Sequence, residues 1–432
     1  MAHNTPNKTL QDEKMTSRST VRKRPNIWIP FLISPFITLL YGLKNYRQPW
    51  AKNTVWLFVV FFGMTLTVIS DGPDINRHIS QLENFHQFKI SWDTFYASIY
   101  SDTPNPATGR VYLDVYQPLL TYLVSFFTAN FHVLYTFVGL VFGYFYSRNI
   151  WFLIDNAGVK IKKENLILVL TFAFIVSFSS MQSIRMWTAA HVFFFGGFLY
   201  LFYNNKKGLW IALLAPLIHF SYLFALVPLA VFYLLRSRLH LYFGFYAATF
   251  FIGEIEMGVI RETLMSILPD IFHGRIEAYA GDPSGEEGAG DGRRWYAQYY
   301  GMALRITIFA FVTIMYFEGR KFIAANPALL ALFSFALLFF GAANVMDLVS
   351  SGGRFYSVAS LFGMASIFLY LQHAPREKLM RRLLPFAYPA LALYVIVAVR
   401  IAFDWISVMT ILGNPVLRLF GNIDIALIEL IR

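Results

Sequence analysis

The chain has 432 residues, of which 57% are hydrophobic, 18% aromatic and only 14% charged, with a net charge of +11 and a mean hydropathy of +0.50. Soluble domains carry about 25% charged residues, so this composition, with repeated apolar runs of about 16–20 residues, excludes an ordinary soluble enzyme and predicts an all-α, polytopic transmembrane helix bundle. The chain has no cysteine, which excludes thiol catalysis, cysteine-ligated metal and disulfides, and its positive charge gathers in short loops, where it reads as a topology signal rather than a nucleic-acid surface.

Residues 1–26 are polar and basic (Lys8, Lys14, Arg18, Arg22, Lys23, Arg24) and are expected to form a disordered cytoplasmic tail, with no cleavable signal peptide. The membrane domain is expected over 27–400, with about 10–12 membrane segments. Its first run, 27–42, is short, interrupted by Pro30 and Pro35, and basic on both flanks, so it reads either as a crossing or as a re-entrant or interfacial segment. Residues 54–69 form a clean span. An outer region follows to about 117, where the mixed aromatic and polar text of Ile79–Tyr100 suits helices lying on the membrane surface. Residues 118–129 are too short to cross alone. The spans 132–147, 165–181 and 184–203 alternate with basic loops (Arg148, Lys160, Lys162, Lys163; Lys206, Lys207), which orients them by the positive-inside rule. The run 209–235 contains Pro216, His219 and Pro228 and has basic residues at both ends, so it reads as one long tilted helix or a broken one. Residues 239–253 follow, then a second outer region at 254–300 containing the flexible run 281–292. The spans 301–317, 327–345, 355–371 and 383–399 complete the domain, with a short outer loop at 346–354. Residues 401–432 form an amphipathic tail.

Candidate chemistry sits at the outer ends of these segments. The stretch 70–85 brings Asp71, Asp74, Arg77, His78 and Glu83 to the mouth of an apolar bundle. Arg185, His219 and Arg354 come from three other segments, and Arg275, Arg293 and Arg294 lie in the second outer region. Arginines on the outer side run against the topology rule, which points to a shared anion site: guanidinium binds phosphate oxygens in bidentate fashion and stays charged at any working pH. The bland alternative is that each pairs with an acid such as Asp71, Asp74 or Asp347, or reaches to lipid headgroups. Asp71 and Asp74 are candidate general bases, with helix capping and Asp-Gly-Pro turn chemistry as the plainer reading. His219, flanked by prolines, is a candidate for catalysis or ligand contact; His191 reads as structural. No metal site is expected, Asp71 and Asp74 near His78 being the one weak arrangement.

The order of these features resembles the EpsG family of exopolysaccharide proteins, within the Wzy-type polysaccharide polymerases. The resemblance rests on the acidic loop 71–85, on 116–141, on SMQSIRMWTAAH with the following Lys-rich turn and mid-run His (180–232), and on GGRFYSVASL (352–361). It covers roughly residues 54–370; the tail, the segment 27–42 and the insert 281–292 depart from it. The resemblance implies a cofactor-free enzyme of the bacterial inner membrane. It would join lipid-linked glycan repeats at the outer face, with a polyprenyl-diphosphate-linked glycan as donor and another as acceptor. It assigns Arg185 and Arg354 to the diphosphate and makes His219 a candidate for catalysis, with the bilayer, a chain-length regulator and a flippase as partners; the residues themselves add Arg77 as a third diphosphate-binding cation and Asp71, Asp74 and His78 as candidate bases for the acceptor hydroxyl. Rival expectations are a lipid-phosphate-dependent glycosyltransferase, which a chelator would inhibit if it uses metal, a lipid-linked glycan transporter with repeated halves, and a non-catalytic scaffold.

Overall fold

The structure, a computed structural model, describes residues 26–68, 73–99, 104–109, 111–251, 262, 265–267, 295–347, 352–375, 379–421 and 424–431. Most of the N-terminal tail and the run 281–292 lie outside them. Among the described residues the chain is helical, with only isolated bridges in place of strands. Among the described residues seven helices are long and apolar enough to cross a membrane: Phe131–Asp155, Lys163–Gln182, Ile184–Tyr203, Tyr299–Ala324, Pro327–Met346, Arg354–His373 and Leu379–Ala402.

The chain opens with α1 (Trp28–Ile33) and α2 (Pro35–Lys44), which run antiparallel to α3 (Ala51–Met64). Ser34 is extended between them and its hydroxyl accepts from the Ile37 N–H at 3.3 Å, with Pro35 at the first helical position, a start that satisfies an otherwise orphaned donor. Ring pairs mark successive levels along α3: Phe31 with Phe61, Phe36 with Phe58, Tyr41 with Trp50. Residues 27–44 therefore run the length of α3 and do not fold back on themselves.

Next come α4 (Pro73–Phe88), α5 (Trp92–Ala97) and α6 (Tyr116–Ser125), all at one end of the bundle, then α7 (Phe131–Asp155), α8 (Leu166–Ile175), a short 3-10 stretch Phe178–Gln182, and α9 (Ile184–Tyr203). The ambiguous run 209–235 divides into α10 (Lys207–Ala212), α11 (Ala215–Ile218) and α12 (Tyr222–Leu235). Asn204, left-handed at φ 52°, ends α9 and reverses the chain. The pair α10–α11 then runs back along α9. Glycine makes that approach feasible: a Cβ on Gly196 would stand 2.5 Å from the Gly208 carbonyl oxygen, and one on Gly208 would stand 2.3 Å from the Gly196 oxygen. Close backbone contact through small residues is how helices associate where lipid removes the hydrophobic drive. At His219 the chain turns again, and α12 follows α9 in the same direction: the Tyr222 hydroxyl donates to the Met186 carbonyl at 3.2 Å, and Arg236 donates to the Tyr200 hydroxyl at 2.8 Å. The run is a broken, out-and-back pair, so its two basic flanks lie at one end.

The chain continues with α13 (Leu239–Thr249), α14 (Trp295–Ala324), α15 (Pro327–Met346), α16 (Arg354–His373) and α17 (Leu379–Ala402), ending in α18 (Val408–Leu412) and α19 (Pro415–Phe420). Helices α16 (89% buried) and α9 (78%) are central, whereas α17 (22%) is peripheral. Tilted and edge-to-face rings of Phe193, Phe194, Phe335, Phe339 and Phe362 fill the space between α9, α15 and α16; such pairs add about 0.5–1.5 kcal/mol each beyond simple burial. The C-terminal helices close the end of α3: buried Arg418 donates to the Met64 carbonyl at 2.8 Å, and the Thr65 and Thr410 hydroxyls share a hydrogen bond of 2.7 Å.

The two ends differ in chemistry. One gathers Tyr46, Trp151, Asn156, Tyr203, Gln372 and His373 with the basic loops: Trp151 donates to the Tyr46 carbonyl, His373 meets the Asn156 carbonyl, and Lys162 donates to the Leu371 carbonyl. The other carries α4–α6, the turn at His219, the start of α16 and the C-terminal helices. It is the polar end.

Candidate functional site

Asp114 is the centre of the polar end. It lies in the segment 111–115 before α6, is only 3% exposed, and is tied down by its neighbour, since the Val115 N–H donates to the Leu217 carbonyl at 2.9 Å. Its carboxylate takes three donors. Oδ2 accepts from Arg185 Nη1 at 2.7 Å and from His219 Nδ1 at 3.3 Å; Oδ1 accepts from the Phe220 backbone N–H at 2.6 Å. The backbone break after α11 produces this arrangement. His219 is extended (φ −149°, ψ 113°), so the Phe220 amide has no partner four residues back and turns to the acid.

Burial alone pushes the Asp114 carboxyl upward. The hydrogen bond and charge of His219, the charge of Arg185 and the Phe220 amide outweigh it and hold the group below its ordinary value. An ionised carboxylate only accepts, so the proton between Asp114 and His219 sits on Nδ1 and Nε2 is the ring nitrogen turned away from the acid. Asp114 thereby fixes both the tautomer and the direction of the imidazole. Arg185, in the first turn of α9, spends one of its five donors on Asp114 and stays 21% exposed. The pairing acid is thus Asp114, and none of the three that the sequence offered.

The stretch 70–85 touches this centre from one side. Asp74, in the first turn of α4, accepts from the Ser183 hydroxyl at 3.2 Å, two residues before Arg185, and stands 3.7 Å from Arg77. Both Asp74 and Arg77 are about 40% exposed. His78 is buried on the inner face of α4 with Ile75 and Leu82. Asp71 lies outside the described residues, as do Arg275, Arg293 and Arg294. From another side, Arg354 begins α16 and is exposed, with no acidic partner among the described residues. The next residue, Phe355, packs its ring 5.8 Å from that of Tyr222, and Tyr222 in turn stands beside His219 and Met186. The structure therefore joins Arg185 and His219 through Asp114, links Asp74 and Arg77 through Ser183, and brings the start of α16 alongside. His191 is interior: its ring meets Asn149 and the Val176 carbonyl. Among the described residues no three His, Asp or Glu side chains gather as a metal-holding group.

Sequence reasoning missed Asp114. Its signal was a single carboxylate inside aromatic and aliphatic text, Tyr112-Leu113-Asp114-Val115-Tyr116, where an ionisable group is costly unless it is paired. It also missed Arg305, which pairs with Asp347 at 2.7 Å.

Compared with protein-family models, curated proteins and solved structures, the chain matches none of them.

Proposed function

We propose that the protein is a metal-independent glycosyltransferase of the bacterial cytoplasmic membrane that joins polyprenyl-diphosphate-linked glycans, as the resemblance to Wzy-type polymerases implies. The observation that carries the reading is the buried Asp114 carboxylate joined to both Arg185 and His219 at the polar end of an apolar bundle. The basic loops gather at the opposite end, which the positive-inside rule makes cytoplasmic, so the candidate site faces outward. The shorter helices that run alongside the seven long ones bring the bundle to about 10–12 membrane segments, with α4–α6 as the helices of the outer loop.

In this reading the acceptor hydroxyl attacks the anomeric carbon of the donor glycan. The new C–O bond forms as the bond from that carbon to the diphosphate breaks, with inversion. The hydroxyl proton passes to His219 Nε2, and Asp114 stabilises the imidazolium. The charge that develops on the leaving polyprenyl diphosphate falls to the remaining donors of Arg185 and to Arg354, with Arg77 and Asp74 on the acceptor side. Fixed cations aimed at a developing charge are worth about 10²–10³-fold in rate for a single group.

Deleting the gene and analysing lipid-linked saccharides tests this. Single repeats on lipid should accumulate while polymer disappears, and Arg185→Ala and Arg354→Ala should reproduce that at normal protein level. Long polymer in either variant would remove the anion-site assignment.

A further inference from the structure

Helix α16 separates two spaces. On one side of its first turn Phe355 packs towards Tyr222 and the Asp114 centre. On the other, Tyr356 lines a cavity of about 840 Å³, large enough for a substantial part of a lipid chain. One wall is apolar, made by Ile175, Phe250, Met302, Ile306 and Phe309. Met302 and Ile306 are 55% and 61% exposed on the outer face of α14, so the space opens sideways, where the chain of a lipid would run, as well as towards the polar end.

The polar rim is built around Arg305. Its Nη2 donates to Asp347 at 2.7 Å, and its Cζ stands 3.4 Å above the Tyr356 ring. The Tyr356 hydroxyl donates to Asn344, and Asn344 donates to the Thr249 hydroxyl at 2.9 Å. This network fixes the guanidinium plane by stacking on one face and an ion pair at one nitrogen, and leaves the side chain 46% exposed. A planar cation oriented in this way, at the rim of an apolar space that opens sideways, matches a phosphate attached to a long hydrocarbon chain.

We propose that this cavity binds an anionic lipid, its phosphate on Arg305 and its chain along α14. The polymerase reading gives the site its role, since joining two lipid-linked glycans requires two lipids held at once: one diphosphate at Arg185, the other at Arg305, with Arg354 at the helix tip between them. That role rests on the proposed function; the ligand chemistry does not. A polyprenyl diphosphate and a bilayer phospholipid share this chemistry, and the test separates them.

The purified full-length protein is irradiated with a diazirine-bearing polyprenyl diphosphate and the labelled residues are mapped. Label is expected on α14 around Met302 and Ile306. Gly301→Trp should lower it about tenfold by filling the entrance, and Arg305→Gln by a similar factor, the size expected for losing a charged hydrogen bond. A side chain at position 301 starts in open space, because a Cβ there meets no atom within 4 Å. Label on α14 should survive in Arg185→Ala. Competition assigns the source: displacement by unlabelled polyprenyl diphosphate but not by phosphatidylglycerol identifies the isoprenoid, and equal displacement by both identifies a phospholipid site of the same chemistry. Absence of label on α14, label unchanged in Gly301→Trp, or equal displacement by a neutral polyprenol overturns the proposal. Label at Met302 without lipid-linked repeats accumulating in the deletion strain would keep the cavity and remove the polymerase role; the converse would remove the cavity alone.

Discussion

Two carboxylate oxygens of Asp114 hold three donors, so replacing this residue acts on Arg185, His219 and the Phe220 amide together. Asp114→Asn keeps the shape but leaves Arg185 without its counter-charge. Breaking a buried pair of this kind costs about 3–5 kcal/mol, and activity should fall by at least about 10²-fold; thermal melting and polymer length read the two effects. The pH dependence has a definite sign. The Asp114 carboxyl is held below its ordinary value, so its contribution to stability is fully present above about pH 3.9 and is lost as pH falls through the lower folded value. The melting gap between wild type and Asp114→Asn should close as pH falls below about pH 4. A gap that persists undiminished below that range would contradict the ionised assignment. Arg185→Lys should also fail, because a single ammonium cannot hold Asp114 and a phosphate with the geometry of the guanidinium fork. At this scale a residue was legible in the sequence where it violated a regional rule. Arg185 stood out as a cation on the outer side, and His219 as an imidazole inside an apolar, proline-flanked run. Asp114 violated no topology rule, and its partners lie 71 and 105 residues away, beyond the reach of local pattern.

The element that positions the site is the broken pair α10–α11. Its place against α9 depends on Gly196 and Gly208, where any side chain would collide with backbone. Gly208→Val should therefore displace α11 and with it His219, lowering the melting temperature and abolishing polymer formation, whereas Gly244→Ala, where an added Cβ meets nothing within 4 Å, should be nearly silent. The break was legible in part. Two prolines, a histidine and basic residues at both ends of 209–235 pointed to an interrupted run. That the halves run out and back follows from the Gly196–Gly208 contact, which pairs two helices rather than residues within one. For the same reason 27–42 stayed open in sequence: its prolines argue for a break, and only the ring contacts with α3 show that both halves share one course.

For the whole molecule, the proposed orientation rests on segregation of charge. Long, strongly periodic or uniformly apolar segments were legible almost to the residue, as at 184–203 and 327–345, because lipid requires every backbone group there to bond within its own helix. Because the chain lacks cysteine, single substitutions test orientation cleanly: a membrane-impermeant thiol reagent added to intact cells should label Arg77→Cys and spare Arg238→Cys, and the reverse pattern would overturn both the topology and the outward site. Polymerisation is read most directly by reconstituting the purified protein with a defined polyprenyl-diphosphate oligosaccharide, followed by mass analysis of the lipid fraction. A polymerase yields lipid carrying two repeats and one released polyprenyl diphosphate for each new linkage, with neither product formed by Arg185→Ala or His219→Ala. Glycan that crosses the bilayer unchanged, with no doubled repeat, would contradict it.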